Sequence, residues 1–287
     1  MNATTRNIHK GLTWALAGLA CTAGLMFTQM ASAQISGTKH NLGSTGPGPN
    51  KFNGTDELCV FCHTPHGADT SASAPLWNRV ISGTTYQTYD SLGTSTLDGR
   101  TAPVGSVSIA CMSCHDGTQA MNVVINAPGS GGYNATGGAM AGAWSGANQT
   151  GGILNPGIIT NLTTDLRNDH PIGIQYAGGG YNATTPVTRA AGVGDADFVA
   201  PQSALIGSNR VWWVDTVAAG GLAGSRQKTD MALYARGPGA GGGGYTGQTQ
   251  AEPFVECASC HDPHTANPTF LRIANTGSAV CLACHVK

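Results

Sequence analysis

Cys59-Val60-Phe61-Cys62-His63 is the first of four copies of the pattern Cys-x-x-Cys-His in this chain of 287 residues. The other copies occupy residues 111–115, 257–261 and 281–285. Two cysteines at this spacing, followed at once by histidine, are typical of covalent attachment of c-type haem. We therefore expect four haem c groups, attached through Cys59, Cys62, Cys111, Cys114, Cys257, Cys260, Cys281 and Cys284, with His63, His115, His261 and His285 as proximal iron ligands.

Eight paired cysteines are also compatible with two four-thiolate zinc sites or with four disulfides in a secreted protein. Neither alternative requires a histidine directly after every second cysteine. Histidine accounts for only 9 of the 287 residues. Four such placements by chance therefore have a probability of roughly one in a million, and the spacing favours haem attachment.

The composition predicts an unusual core. Glycine accounts for 42 residues, aromatic residues for 6% and charged residues for 10%. A chain so poor in large apolar side chains has difficulty building a side-chain core, and four porphyrins would supply the missing apolar bulk. We expect a haem-cored, mostly irregular chain with short helices at the haem motifs and a few short β-strands. A formal net charge of −1 gives no indication of a nucleic-acid partner.

The N-terminal segment has the pattern of a cleaved signal peptide. Arg6 and Lys10 precede an apolar stretch at residues 11–27, and the small residues 31–33 form a cleavage site. We expect residues 1–33 to be removed and the protein to be secreted, either extracellular or on the outer cell surface, with the periplasm as the alternative. A retained anchor is the other interpretation, but the apolar stretch is short for a membrane span and glycines interrupt it. No span is expected in the mature chain.

Each iron that is held by a proximal histidine has a second axial position. After the motif histidines are set aside, the mature chain contains four more, which equals the number of open positions. Methionine is the rival ligand, and Met121, Met140 and Met231 are available. The equal numbers favour two histidines at every iron, and the predicted distal ligands are His40, His66, His170 and His264.

Two of these histidines follow a motif histidine by three residues, in Cys-x-x-Cys-His-Thr-Pro-His and Cys-x-x-Cys-His-Asp-Pro-His. Histidines so close in the chain cannot ligate opposite faces of one haem, so each extra histidine is expected to serve a different haem. We assign His66 to the haem of Cys111 and Cys114, and His264 to that of Cys281 and Cys284. By elimination, His40 and His170 would then serve the first and third haems.

The motifs fall into two pairs, each an extended copy followed by a plain copy. This pattern predicts a first haem-pair unit at residues 34–130 and a second at 251–287. Residues 131–250 form a glycine-rich insert that carries one distal histidine, His170. Within the insert, Val211-Trp212-Trp213-Val214 predicts a short strand.

Several longer stretches resemble the tetrahaem c-type cytochromes of metal-reducing bacteria, in particular the OmcE-type cytochromes that form extracellular filaments. They are residues 37–42 (Gly-Thr-Lys-His-Asn-Leu), 59–66, 74–79 (Ala-Pro-Leu-Trp-Asn-Arg), 113–118 and 169–173. The resemblance implies haems with two histidine ligands, stacked in a continuous line inside an irregular chain. It supports His40 and His170 as ligands, and it also implies that a neighbouring subunit can supply a distal histidine, for which His40 and His170 are the candidates.

We expect an electron carrier and not an enzyme, because an iron with two protein ligands has no vacancy for a substrate. By the resemblance, the protein would polymerise with copies of itself and carry electrons to other redox proteins and external acceptors. A soluble periplasmic shuttle with the same haems is the alternative. A multihaem reductase is a third possibility, and it requires one of the four spare histidines to be idle.

Overall fold

Most of the chain lies in turns and irregular segments, between which are short helices and small antiparallel sheets. The computed structural model describes residues 34–189, 191–216, 224–239 and 242–286, which belong to one unit, Gln34–Lys287. The expected signal peptide, residues 1–33, lies outside the described residues. The prediction of an irregular fold with short helices and a few short strands is confirmed.

Three short α-helices coincide with Cys-x-x-Cys-His motifs. They are α1 (Ser108–His115), α2 (Cys257–Cys260) and α3 (Ala279–Cys284). The first motif forms a turn, in which the His63 N–H donates to the Cys59 carbonyl over 2.7 Å. Residues three apart lie side by side on a helical turn, so both thiols of a helical motif are on one face. Short 3₁₀ segments occur at Ile35–Gly37, Tyr89–Leu92, Tyr176–Gly178, Pro268–Phe270 and Thr276–Ser278.

Within the described ranges, no helix has the length and apolar character that crossing a membrane requires.

The strands are short and pair mainly with neighbours in the chain. Three two-stranded antiparallel sheets come first, formed by β1 (Lys51–Phe52) with β4 (Trp144–Ser145), β2 (Val123–Asn126) with β3 (Tyr133–Ala139), and β5 (Gln149–Thr150) with β6 (Ile153–Leu154).

A five-stranded antiparallel sheet is the largest element of the fold. Its strands are β7 (Ile174–Gln175), β8 (Gln202–Ile206), β9 (Asn209–Val214), β10 (Met231–Arg236) and β11 (Glu252–Val255), in the order β7-β11-β10-β9-β8. The predicted strand at residues 211–214 is confirmed within β9. The sheet joins the glycine-rich insert to the third motif, because β11 ends two residues before Cys257.

Buried apolar side chains gather beside the motif cysteines. One cluster contains Trp212 and Met231 of the large sheet, and Cys260 and Cys284 pack against it. Two further clusters, one around Met112 and Trp77 and one around Phe52 and Phe61, share Cys62 at their border. The side-chain core is therefore divided into small clusters around the motifs.

Candidate functional site

The first three motifs lie next to one another in chain order. Burial, together with the nearby Cys114 thiol of the second motif, raises the pKa of the Cys62 thiol to about 12. A hydrogen bond between the Cys111 and Cys257 thiols raises the pKa of Cys111 and lowers that of Cys257. The first motif is thus adjacent to the second, and the second to the third.

The third and fourth motifs meet against the large sheet. Burial and the Cys260 thiol of the third motif raise the pKa of Cys284, in the fourth motif, to about 12. The thiols of all eight motif cysteines are free in the structure. In the described part of the chain, no group of three histidine, cysteine or acidic side chains converges on one point as a protein-only metal site would.

Backbone carbonyls orient three of the proximal histidines. The Nδ1 atoms of His63 and His115 lie 2.7 Å from the carbonyl oxygens of Pro75 and Thr160, and that of His261 lies 2.8 Å from the Thr269 oxygen. A carbonyl oxygen only accepts, so Nδ1 is the protonated nitrogen and Nε2 keeps its lone pair. This is the arrangement of a metal-ligating histidine, whose second nitrogen is fixed by a hydrogen bond.

Two non-motif histidines stand opposite motif histidines. The rings of His63 and His264 have centroids 6.1 Å apart and nearly parallel planes, at an angle of 16°. The rings of His40 and His115 are 6.2 Å apart at 84°. A metal–imidazole bond is about 2 Å and the ring centre lies about 1 Å beyond the nitrogen, so two imidazoles on one iron have centroids roughly 6 Å apart. Both pairs therefore fit the two axial positions of a haem iron.

Burial favours the neutral form of His40 and His115. Burial first, and the His115 imidazole second, lower the pKa of His40 to about 4, although the Pro263 carbonyl opposes this shift. Burial also lowers the pKa of His115. A neutral imidazole is the form that ligates iron, so this environment suits the proposed ligands.

His170 lies near the third and fourth motifs. Burial lowers its pKa, and the imidazoles of His285 and His261 lower it further, His285 more strongly. Its Nδ1 is 3.1 Å from the Pro171 carbonyl oxygen, which leaves Nε2 available as in the motif histidines.

His66 differs from the other three candidates in its side-chain contacts. It is exposed, as His170 is, but its side chain makes no hydrogen bond or ring contact with the described residues. Only its backbone is held, since its N–H and carbonyl bond with Thr64 and its carbonyl also accepts from Asn126.

Two of the predicted distal histidines lie beside other motif histidines than the sequence offset suggested. His264 stands opposite His63 of the first motif, whereas the sequence assigned it to the haem of Cys281 and Cys284. His40 stands opposite His115, the position assigned to His66. The offset of three residues was interpreted as a link to the next motif in the chain, but the loop after the third motif returns to the first.

Of the rival methionines, Met140 and Met231 pack inside apolar clusters, and Met121 is buried as well. Packing in the apolar interior thus accounts for all three methionines.

Aromatic side chains that the sequence did not single out support the imidazoles. Phe270 stacks on His40 with centroids 4.1 Å apart, and Phe198 packs on His285 at 4.4 Å. Trp77 meets His63 edge-on at 6.0 Å. Each contact limits the rotation of a histidine that is expected to ligate iron. Trp77 lies in the quoted stretch 74–79, whereas no local pattern marks Phe198 or Phe270.

A buried charge cluster ties the second motif to the third. Glu256, directly before Cys257, forms an ion pair with Arg236 and accepts hydrogen bonds from Arg236 Nε over 2.7 Å and from the Ser108 hydroxyl. The Ser108 Oγ also accepts from the Cys257 N–H over 2.9 Å. Ser108 begins α1 and Glu256 caps α2, so this cluster, which we call the Ser108–Glu256–Arg236 clamp, fixes the two helices to each other.

The family model described as a doubled CXXCH motif matches residues 252–287, which contain the third and fourth motifs. This match supports a multihaem c-type cytochrome. The Cys-x-x-Cys-His motifs indicate covalently bound c-type haem. A comparison with curated proteins gave no match.

Proposed function

We propose that this protein carries electrons through four covalently bound haem c groups, each ligated by two histidines. The observation that supports this most directly is the pair of imidazole–imidazole separations, 6.1 Å for His63 with His264 and 6.2 Å for His40 with His115. His170, which interacts with the imidazoles of His285 and His261, would serve one of the last two motifs, and His66 would serve the other.

The haem supplies a one-electron centre, and the chain holds it and shields it from water. An iron with two protein imidazoles has no open position for a substrate, so we expect no enzymatic activity. Adjacent motifs in the order one to four support transfer from haem to haem along the chain.

We further propose that the protein is exported and polymerises into an extracellular filament that conducts electrons to external acceptors. The signal-like residues 1–33 and the resemblance to OmcE-type cytochromes support this. A ligand supplied by a neighbouring chain would have to reach out from the surface. His40 packs against His115 and Phe270 of its own chain, and the exposed His170 is held by its contact with the Pro171 carbonyl. The exposed His66 side chain has no such contact with the described residues, so His66 is the better candidate.

Two alternatives remain as outcomes of the test. A soluble periplasmic shuttle would contain the same haems without assembly. The exposed His66 favours a reductase alternative, because an idle distal histidine would leave one iron open to a substrate.

Intact mass, spin state and particle size test the proposal on the exported protein. We expect the mass of the processed polypeptide plus four haems, a low-spin spectrum for every haem in the assembled form, and fibres in negative stain. Fewer than four haems would contradict the proposed cofactor content. Discrete monomers without fibres would favour the shuttle, and a high-spin haem that persists in the native assembly would favour the reductase.

Chain dissociation then tests the role of His66. If His66 ligates a haem of the neighbouring chain, dissociated chains should bind carbon monoxide at one haem and lose this binding on reassembly. The variant His66→Ala should bind carbon monoxide in both states. Equal behaviour of dissociated and assembled wild type would contradict ligation between chains.

A further inference from the structure

Arg79 is a fully buried guanidinium in the first haem-pair unit, with 0% of its surface exposed. Its five N–H groups are all engaged. Nε donates to the Ser113 hydroxyl over 3.2 Å, and the two terminal nitrogens make five further contacts at 2.7–3.1 Å, with oxygens of Met121, Val123, Ser113, Gln119 and Ala120. A guanidinium has five donors in a fixed fork, so none is left for another partner.

Every acceptor around Arg79 is neutral. The acceptors are the backbone carbonyls of Ser113, Ala120, Met121 and Val123, the Ser113 hydroxyl and the Gln119 side-chain amide oxygen. Among the described residues, no carboxylate lies within ion-pair distance of Arg79. The nearby buried carboxylate Asp116 accepts from Tyr86 and Thr118 instead. The positive charge of Arg79 is thus hydrogen-bonded but not neutralised.

This charge lies between the first two motifs. Ser113, which accepts two of its hydrogen bonds, stands between the attachment cysteines of the second motif. On the side of the first motif, the N–H of Asn78, the residue directly before Arg79, donates to the Cys62 carbonyl over 2.9 Å. Arg79 is therefore close to the attachment sites of both motifs.

A second buried guanidinium lies beside the third motif, and this one has a counter-charge. Arg236 is also buried, but it forms an ion pair with Glu256, directly before Cys257. Burial raises the pKa of Glu256, while Arg236 and Ser108 oppose that shift by donating to the carboxylate. Arg236 therefore has a carboxylate counter-charge, whereas Arg79 has none among the described residues, so the surroundings of the second and third motifs differ in buried charge.

We infer that Arg79 is a fixed buried charge that raises the reduction potentials of the first and second haem sites. Reduction adds one electron to a haem, so a nearby positive charge stabilises the reduced form, and the effect is strong where water is excluded. Electrons arriving at the third and fourth sites would then move energetically downhill to the first and second. The inference rests on the proposed function only in requiring haem c at the first two motifs.

The test neutralises Arg79 without removing it. In the variant Gln119→Glu, the oxygen that accepts from Arg79 over 2.7 Å becomes part of a carboxylate of nearly the same shape. Arg79→Gln removes the charge directly, and Arg79→Lys keeps it. Gln202→Glu, on strand β8 and outside the contacts of Arg79, is the matched control for an added carboxylate.

Potentiometric titration of the haem-loaded full chain, with the mass and spin state measured on the same sample, gives the readout. We expect Gln119→Glu to lower one or two of the haem midpoints and to leave the others and the control unchanged. Arg79→Gln should shift the same midpoints downward if it loads haem, and Arg79→Lys should leave them near wild type. Unchanged midpoints in Gln119→Glu, or an equal shift of all of them, would overturn the inference. A wrong haem count or a high-spin signal in the wild type would instead count against the proposed function.

Discussion

Replacing His264 tests which haem this histidine ligates. The structure places its imidazole beside His63 of the first motif, with ring centroids 6.1 Å apart, whereas its sequence position predicts the haem of Cys281 and Cys284. His264→Ala removes this ring. The N–H of residue 264 donates to Asp262 over 2.9 Å, and alanine keeps that bond, so the loop is expected to hold its shape.

The size of the effect follows from the ligand count. One iron of four loses one of its two axial ligands, so about one quarter of the haem should become five-coordinate and high-spin and should bind carbon monoxide. The carbon monoxide difference spectrum of the reduced protein measures this fraction, and the high-spin signal of the oxidised protein checks it independently.

Removing one haem at a time identifies the iron that His264 serves. In a background with Cys59→Ser and Cys62→Ser, which lacks the first haem, His264→Ala should add no carbon monoxide binding. With Cys281→Ser and Cys284→Ser, which removes the fourth haem, about one third of the remaining haem should still bind it. The reverse result would refute the structural pairing and restore the prediction made from the sequence offset.

Three stability predictions follow from buried groups, each measured by chemical denaturation of the haem-loaded protein. Glu256→Ala leaves Arg236 buried without a counter-charge and should lower the free energy of unfolding by about 3–5 kcal/mol; a change below about 1 kcal/mol would mean that the Ser108–Glu256–Arg236 clamp is not needed. Trp212→Ala should lower the free energy of unfolding by about 3–5 kcal/mol because the indole is fully buried. The control Leu205→Ala, at a side chain that is 60% exposed, should change the free energy of unfolding by less than about 0.5 kcal/mol. Asn78→Ala should lower the free energy of unfolding by about 1–3 kcal/mol for each backbone group that it leaves unpaired, since the buried Asn78 amide bonds to Val60 and Asn126. A variant as stable as the wild type would show that water takes over the hydrogen bonds of this amide.

The features that were predictable from sequence are those carried by a few consecutive residues. Cys-x-x-Cys-His contains the attachment chemistry in five positions, and three of its copies form short helices in the structure. The strand at residues 211–214 was also visible locally, because β-branched and aromatic residues favour extended backbone.

The choice of histidine partner could not be predicted in this way. The offset of three residues from His261 to His264 indicates only that one haem cannot take both. Which other motif histidine lies near His264 depends on how the chain folds back, and the structure places it beside His63. Counting histidines therefore proposes a set of ligands, whereas the neighbour of each one depends on tertiary contacts.

Arg79 illustrates the same limit for buried charge. Its neighbours in sequence, Trp77 and Asn78, do not reveal that it is buried, since an arginine is usually exposed. The acceptors that make burial tolerable come from residues 113–123 and exist only after that segment folds over it. An arginine with a complete set of neutral acceptors thus has no signature in the local sequence.

The contacts between the first and last parts of the chain bear on how electrons would pass between the two haem-pair units. The His63–His264 pair, the Cys111–Cys257 thiol contact and the Ser108–Glu256–Arg236 clamp all join residues 34–130 to residues 231–264. An imidazole of one unit that ligates an iron of the other fixes that haem to both units at once. The haem-to-haem spacing at the junction would then be set by the same contacts that hold the fold together. Because the Ser108–Glu256–Arg236 clamp is buried and polar, it holds the junction in one geometry more strictly than apolar packing alone would require.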